Sequence, residues 1–400
     1  MLSGSSKKLV ILDPGLKGLS GHHVAVLDTL SALRDKLSIQ VWCNNTASEG
    51  VLDKVANLGF TAKLFFSSEF YGYLFEPASL AKLAPQLNQL VAEYCRALVD
   101  IGSDNQTTIL MHTLDWYHLW AFSLAMQQYE RKHGVLLSEI SLMLMFNPLG
   151  DSGQDLCVTP IYSSACRNLL KHTNITFYAA DYEIAHDVSS LLELDEILPI
   201  HPCVVTSVDP HQLQQLKREQ GDYLLLYCGD AKANKGFNAL PQLLAQCLSV
   251  KNSSTQYVIH YTNLSDDPQL SETETELELF AGQDSRVVIK KGFLDDIKIN
   301  KLIANCRALI LNYDSQVYQN KTSGIIWLAA RYNTPLLLNT QSWLEREAKR
   351  LGLPHCQLTN ESLVNIGSSI KACGLSGRDS QYKQQLFASF SDWLLDRVLK

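Results

Sequence analysis

The chain has 400 residues, too many for one hydrophobic core and enough for two α/β domains of roughly 150 to 200 residues each. Its 41 acidic and 34 basic residues give a formal charge of −7 with no lysine- or arginine-rich block, which argues against a nucleic-acid partner. No run approaches the roughly 18 apolar residues of a membrane span, and the opening residues lack a signal peptide's apolar core and cleavage site, so the expected compartment is the cytoplasm.

Short apolar runs alternate with amphipathic stretches, the pattern of a parallel sheet covered by helices on both faces. The first half offers strands at Leu9 to Leu12, Ile39 to Trp42, Thr108 to Met111, Leu142 to Phe146 and Ile175 to Tyr178. Residues Leu198 to Gly221, with three prolines and then a polar run, predict a domain boundary. The second half repeats the scheme at Tyr223 to Tyr227, Tyr257 to Tyr261, Val287 to Ile289, Ala308 to Leu311 and Leu336 to Leu338. After a glycine-rich break at Gly374 to Gly377, apolar residues at helical spacing (Leu386, Phe390, Trp393, Leu394, Val398) predict one terminal helix over 381–400. The domains are therefore drawn as 1–203 together with 381–400, and 204–380. Ten scattered cysteines contain no Cys-x-x-Cys pair, as expected of reduced, mostly buried thiols rather than disulfides or a zinc site. In this setting the sequon at Asn44 is a chance match.

Parallel sheets bind ligands beyond the carboxyl ends of their strands, so three loops carry the chemistry. The first, Asp13 to His23, holds three glycines ahead of a helix, without the Gly-x-Gly-x-x-Gly spacing of a dinucleotide site. A tight turn with a solvent-facing histidine pair is the plainer reading of it. The second, Cys228 to Phe237, sets Lys232 and Lys235 beside Gly229, suited to a diphosphate; a solvated loop is the alternative. The third, Asn312 to Gly324, ends in Thr322, Ser323 and Gly324 at a helix start, where hydroxyls and free amides suit an anion, though a capping turn without ligand has the same composition. His112, ending an apolar strand and followed by Asp115, is the candidate acceptor-side base or positioning group, ahead of His22 and His23.

The run Tyr227 to Phe237 resembles the strand, glycine, basic residue and Lys-Gly-Phe element of the retaining glycosyltransferases related to lipopolysaccharide and sucrose-phosphate glycosyltransferases, and the likeness follows nearly the whole chain in order. It implies a GT-B fold: two Rossmann-like α/β domains with parallel sheets facing each other across a cleft, the first for acceptor and the second for donor. By this resemblance Lys235 and Lys232, beside Gly229, grip the donor diphosphate. Gly292, Phe293 and Leu294 are similar to the turn that contacts the nucleotide base. Gly21 and His22 belong to the glycine loop of the first domain, and Tyr318 to Gly324 resembles a turn that holds the distal phosphate. The family's two glutamates are absent: Asn320 and Leu328 occupy their places, and only Asn320 is able to hydrogen-bond a sugar hydroxyl.

The implied reaction is metal-independent, retaining transfer from a UDP- or GDP-type sugar to a glycan, lipid-linked or protein acceptor, in surface-glycan or protein glycosylation of the bacterial type. A lipid-linked acceptor would bring the protein to the inner face of a membrane. No cofactor is expected, and oligomeric state is not fixed. Two other readings stay open: a sugar-nucleotide epimerase, and a non-catalytic partner that keeps the fold.

Overall fold

A computed structural model describes residues 7–19, 21–68, 80–150, 158–204, 223–249, 254–365, 368–369 and 380–398. The chain forms two compact units, Met1–Ser207 with Gln384–Lys400, and Val208–Lys383. The polar run before Gly221 and the break at Gly374 to Gly377 lie outside the described residues.

Unit 1 holds six parallel strands: β1 (Lys8–Asp13), β2 (Ser38–Asn44), β3 (Thr61–Phe66), β4 (Thr107–Leu114), β5 (Glu139–Leu144) and β6 (Ile175–Ala179), ordered β3-β2-β1-β4-β5-β6. Unit 2 holds β7 (Tyr223–Asp230), β8 (Gln256–Thr262), β9 (Val287–Lys291), β10 (Ala308–Leu311), β11 (Leu336–Leu338) and β12 (His355–Gln357), ordered β12-β11-β10-β7-β8-β9. Both sheets follow the doubly wound order. Each therefore has one switch point, between β1 and β4 in unit 1 and between β7 and β10 in unit 2, where successive connections leave in opposite directions and open a crevice.

The sequence-expected strands all form, each on an apolar run that is buried except in the edge strand β9, where Val288 and Ile289 are half-buried; β5 ends at Leu144, short of the expected Phe146. Two strands escaped the sequence reading, β3 and β12. Both are sheet edges with half-exposed residues, so neither carries a continuous apolar signature. The expected single terminal helix is instead two, Ser380–Leu386 and Phe390–Val398. The second helix packs Phe390, Leu394 and Val398 against Val26, Leu27, Leu30 and Leu33 in the unit 1 core, and Lys7 Nζ donates to the Val398 carbonyl at 2.8 Å. The eight described cysteines are unbridged and six of them are buried. Asn44 is buried and fully used: its amide nitrogen donates to the Pro14 and Ser68 carbonyls and its oxygen accepts from Thr46.

Candidate functional site

In unit 2 the loops after β7 and β10 meet at the switch point. β7 runs to Asp230 through Gly229, whose φ of 128° suits only glycine. The chain then makes two short 3₁₀ turns, Ala233–Lys235 and Phe237–Ala239, before the helix Leu240–Leu248, so the amides over Gly229 belong to a tight turn and not to the expected helix start. Phe237 anchors this loop in the core against Tyr227 and Tyr261, and the Tyr227 hydroxyl accepts from the Lys232 amide at 3.2 Å. Gly236, at φ 77°, passes so close to β10 that a Cβ there would lie 2.1 Å from the Asn312 carbonyl oxygen. The Asp314 amide donates to the Asn234 carbonyl at 2.9 Å, joining the loops a second time.

This anchoring folds Lys235 back over the strand end, its Nζ 3.7 Å from where a Gly229 Cβ would stand. Burial lowers the Lys235 pKa; Asp230 opposes that shift, while Lys232 and Lys321 add to it. The charges of Lys232 and Lys321 both reach Lys235, and Lys321 is one the sequence reading did not select. Lys232 is half exposed and pairs with Asp230 at 3.2 Å, a solvated contact it is able to exchange for an anion at little cost.

On the facing loop, Asp314 accepts from the amides of Gln316 and Val317, and Tyr318 is buried 4.6 Å from Tyr313, ring to ring. The Trp343 amide donates to the Tyr318 carbonyl, so Tyr318 fixes the loop's path. Asn320, Thr322 and Ser323 are half-buried and Gly324 is exposed. Ser323 stands at the N-cap of the helix Gly324–Tyr332, yet its side chain bonds Tyr313 rather than the helix amides. The first amides of that helix have no side-chain cap from Ser323.

The remaining candidates lie on the same end of the sheet. Gly292, at φ 96°, turns the chain after β9, about 10 Å from Gly229 across two strand spacings. Phe293 is 70 % exposed and Leu294 half-buried. His260 on β8, unremarked in the sequence reading, ties these ends together: Nε2 donates to the Gly292 carbonyl at 3.1 Å and Nδ1 faces Cys228 Sγ at 3.5 Å. Burial lowers its pKa.

Unit 1 concentrates polar groups at its own switch point. Asp13 ends β1, His112 lies near the end of β4 where the pairing with β5 slips, and His23 stands in the first turn of the helix His22–Leu30. His112 Nε2 lies 2.8 Å from Asp13 Oδ2, and His23 Nδ1 is 2.8 Å from Oδ1 and 3.0 Å from Oδ2. Burial alone would raise the Asp13 carboxyl, but the two histidines outweigh it and hold it well below the usual carboxylate range. His112 is enclosed, with a 1 % exposed side chain and its second nitrogen 3.0 Å from Thr113 Oγ1. His23 is also buried, so the pair at the helix start does not face solvent together. His22 is half-buried 4.2 Å from the His23 ring, and burial, then the charges of His23 and His112, lowers its pKa to about 3. Gly21 caps the helix at φ 81°, with open space on its Cβ side. The role of Asp13, 99 positions from His112, had no signal in the sequence beyond its place at a strand end.

No protein-family model matches the chain, and no curated protein matches it in sequence. Solved structures do match over nearly their whole length. An α,α-trehalose-6-phosphate synthase from Burkholderia multivorans superposes with a TM-score of 0.60 at 10 % identity, covering 99 % of this chain and 97 % of that one. HepE from Anabaena, solved in complex with UDP and glucose, gives 0.55 at 13 % identity over 98 % and 96 %. A Listeria monocytogenes protein assigned as a UDP-N-acetylglucosamine 2-epimerase gives 0.55 at 10 % over 99 % and 96 %. The fold is therefore the GT-B class, with one Rossmann-like sheet in each unit. At these identities the likeness speaks for the fold alone.

Proposed function

We propose that this chain is a glycosyltransferase that moves a sugar from a UDP- or GDP-type nucleotide sugar to a hydroxyl of a glycan, lipid-linked or protein acceptor, with unit 2 taking the donor and unit 1 the acceptor. The observation that carries this reading is the meeting of two loops at the unit 2 switch point, with Lys235 folded over Gly229 and the charges of Lys232 and Lys321 reaching it. It is supported by the UDP and glucose bound to HepE, a protein of the same fold.

In transfer, the bond between the anomeric carbon and the β-phosphate oxygen breaks with its electron pair going to the diphosphate. Lys235, Lys232 and Lys321 offset the charge that develops there, as do the amides opening the helix Gly324–Tyr332. The acceptor oxygen bonds the anomeric carbon and releases its proton, which the departing phosphate is basic enough to take. Asn320 hydrogen-bonds a sugar hydroxyl. Gly292, Phe293 and Leu294 take the base, with Phe293 offering an exposed aromatic face. His22, neutral and half-buried, orients the acceptor; His112 is too enclosed to touch it and acts as a positioning residue through Asp13 and His23. Retention of configuration and neutralisation of the diphosphate by lysines rather than a metal are part of this proposal.

The test is calorimetric titration with UDP, GDP, ADP and CMP, repeated on Lys235→Ala. One nucleotide is expected to bind at micromolar strength and to weaken more than tenfold in the variant, about 1.4 kcal/mol. An absence of binding to folded protein would sink the donor site. An epimerase needs free carboxylates at the sugar ring, whereas Asp314 on the facing loop accepts two loop amides. Conversion of a nucleotide sugar to its epimer, or tight nucleotide binding without any sugar release or transfer, would favour the epimerase and the non-catalytic partner respectively.

A further inference from the structure

We infer that Asp13, His23 and His112 form a binding site for a divalent transition-metal ion of the zinc type, built by unit 1 alone. Each residue comes from a different segment and each offers one ligand atom, all within 4.8 Å of one another and all buried. Asp13 is 2 % exposed, and among the described residues its side chain is held by the Gly15 amide, His23 and His112, with no lysine or arginine. A buried carboxylate needs a positive partner. Here that partner is either a proton on one imidazole or a cation in its place.

The geometry suits the cation. His23 Nδ1 lies almost equally near both carboxylate oxygens, at 2.8 and 3.0 Å, instead of addressing one lone pair. Four-coordinate zinc, with nitrogen at about 2.0–2.1 Å, spaces its ligand atoms roughly 3.3 Å apart, so an expansion of about half an ångström admits the ion. Thr113 Oγ1, 3.0 Å from His112 Nδ1, is the outer partner that fixes a metal-binding imidazole with Nε2 directed at the ion. Two imidazoles and one carboxylate favour zinc or cobalt over magnesium or calcium. Three protein ligands leave a fourth position for a solvent or ligand oxygen. An ion held there would pin the glycine loop after β1 to β4, independently of the lysines of unit 2.

Chelator-treated protein titrated with Zn²⁺, and separately with Co²⁺, tests this by calorimetry and visible absorption. One equivalent is expected to bind at micromolar strength or tighter, with a cobalt ligand-field band that lacks thiolate charge transfer. Binding is expected to weaken at least 100-fold in both Asp13→Asn and His23→Gln, with folding checked by circular dichroism; where Asp13→Asn does not fold, His23→Gln carries the comparison. No saturable binding, a thiolate spectrum, or an affinity unchanged in folded His23→Gln would each overturn the site.

Discussion

Replacing Gly236 with alanine would test whether the two loops of unit 2 work as one site. The added Cβ would stand 2.1 Å from the Asn312 carbonyl oxygen, about 1.3 Å inside ordinary contact, and its φ of 77° is left-handed. The backbone conformation costs about 1–2 kcal/mol for a residue with a Cβ, and forcing the close approach apart adds about 1–3 kcal/mol. For a unit of this size each kcal/mol lowers the melting temperature by about 2–4 °C, so a fall of roughly 4–20 °C is expected. The displaced turn carries Lys235, and losing one charge-assisted hydrogen bond to a diphosphate is worth about 1.5–3 kcal/mol, roughly 10- to 100-fold in affinity. Differential scanning calorimetry and nucleotide titration on the same preparation read both effects. A variant that melts and binds as the parent does would refute the idea that Gly236 joins the loops.

Acid should weaken unit 1 through His201. Its ring is buried and its pKa lies at about 4 against an ordinary 6.5, driven down by burial and by His112 although its bond to the Pro202 carbonyl opposes this. Because the folded value is depressed, the stabilisation is complete above about pH 6.5 and is lost as pH falls toward 4, about 2 kcal/mol by pH 5. Urea unfolding at pH 7 and pH 5 should show that loss shrinking by a similar amount in His201→Leu; an identical pH dependence would assign it elsewhere. Gly282 lies in the helix Pro268–Gln283 with nothing within 4 Å of its missing Cβ. Gly282→Ala should therefore raise stability by about 0.5–1 kcal/mol and leave nucleotide binding unchanged, making it a control for Gly236→Ala; a destabilised variant would contradict this.

Interior strands were legible because a strand buried on both faces must be a continuous apolar run, as Leu224 to Tyr227 is. β3 and β12 lacked that signature because polar side chains in contact with water interrupt them, Thr61 and Lys63 in β3 and His355 and Gln357 in β12. The broken terminal helix was concealed by its own stripe: Leu386, Phe390, Leu394 and Val398 recur every four residues straight through the break. The signal that would have exposed it was Ser389 ahead of Asp392, a cap pairing, and the Asp392 amide does donate to Ser389 Oγ at 3.3 Å. In the candidate sites, local chemistry was readable and convergence was not. Glycines and lysines after a strand announce a turn for anions, whereas the meeting of Gly236 with Asn312, or of Asp13 with His112, depends on which strands lie side by side.

The return of the last helix to unit 1 makes unit 2 an insertion within unit 1's chain. The polypeptide leaves unit 1 at Ser207 and rejoins it at Gln384, so the core around Val26, Leu30 and Leu33 is completed by residues synthesised after unit 2. During synthesis unit 2 is able to close on itself as soon as it emerges, while unit 1 waits with an apolar groove uncovered. A premature stop between Lys383 and Phe390 would spare the inserted unit and still strip Phe390, Leu394 and Val398 from the other, so the cost of truncation would fall on the unit made before the insertion.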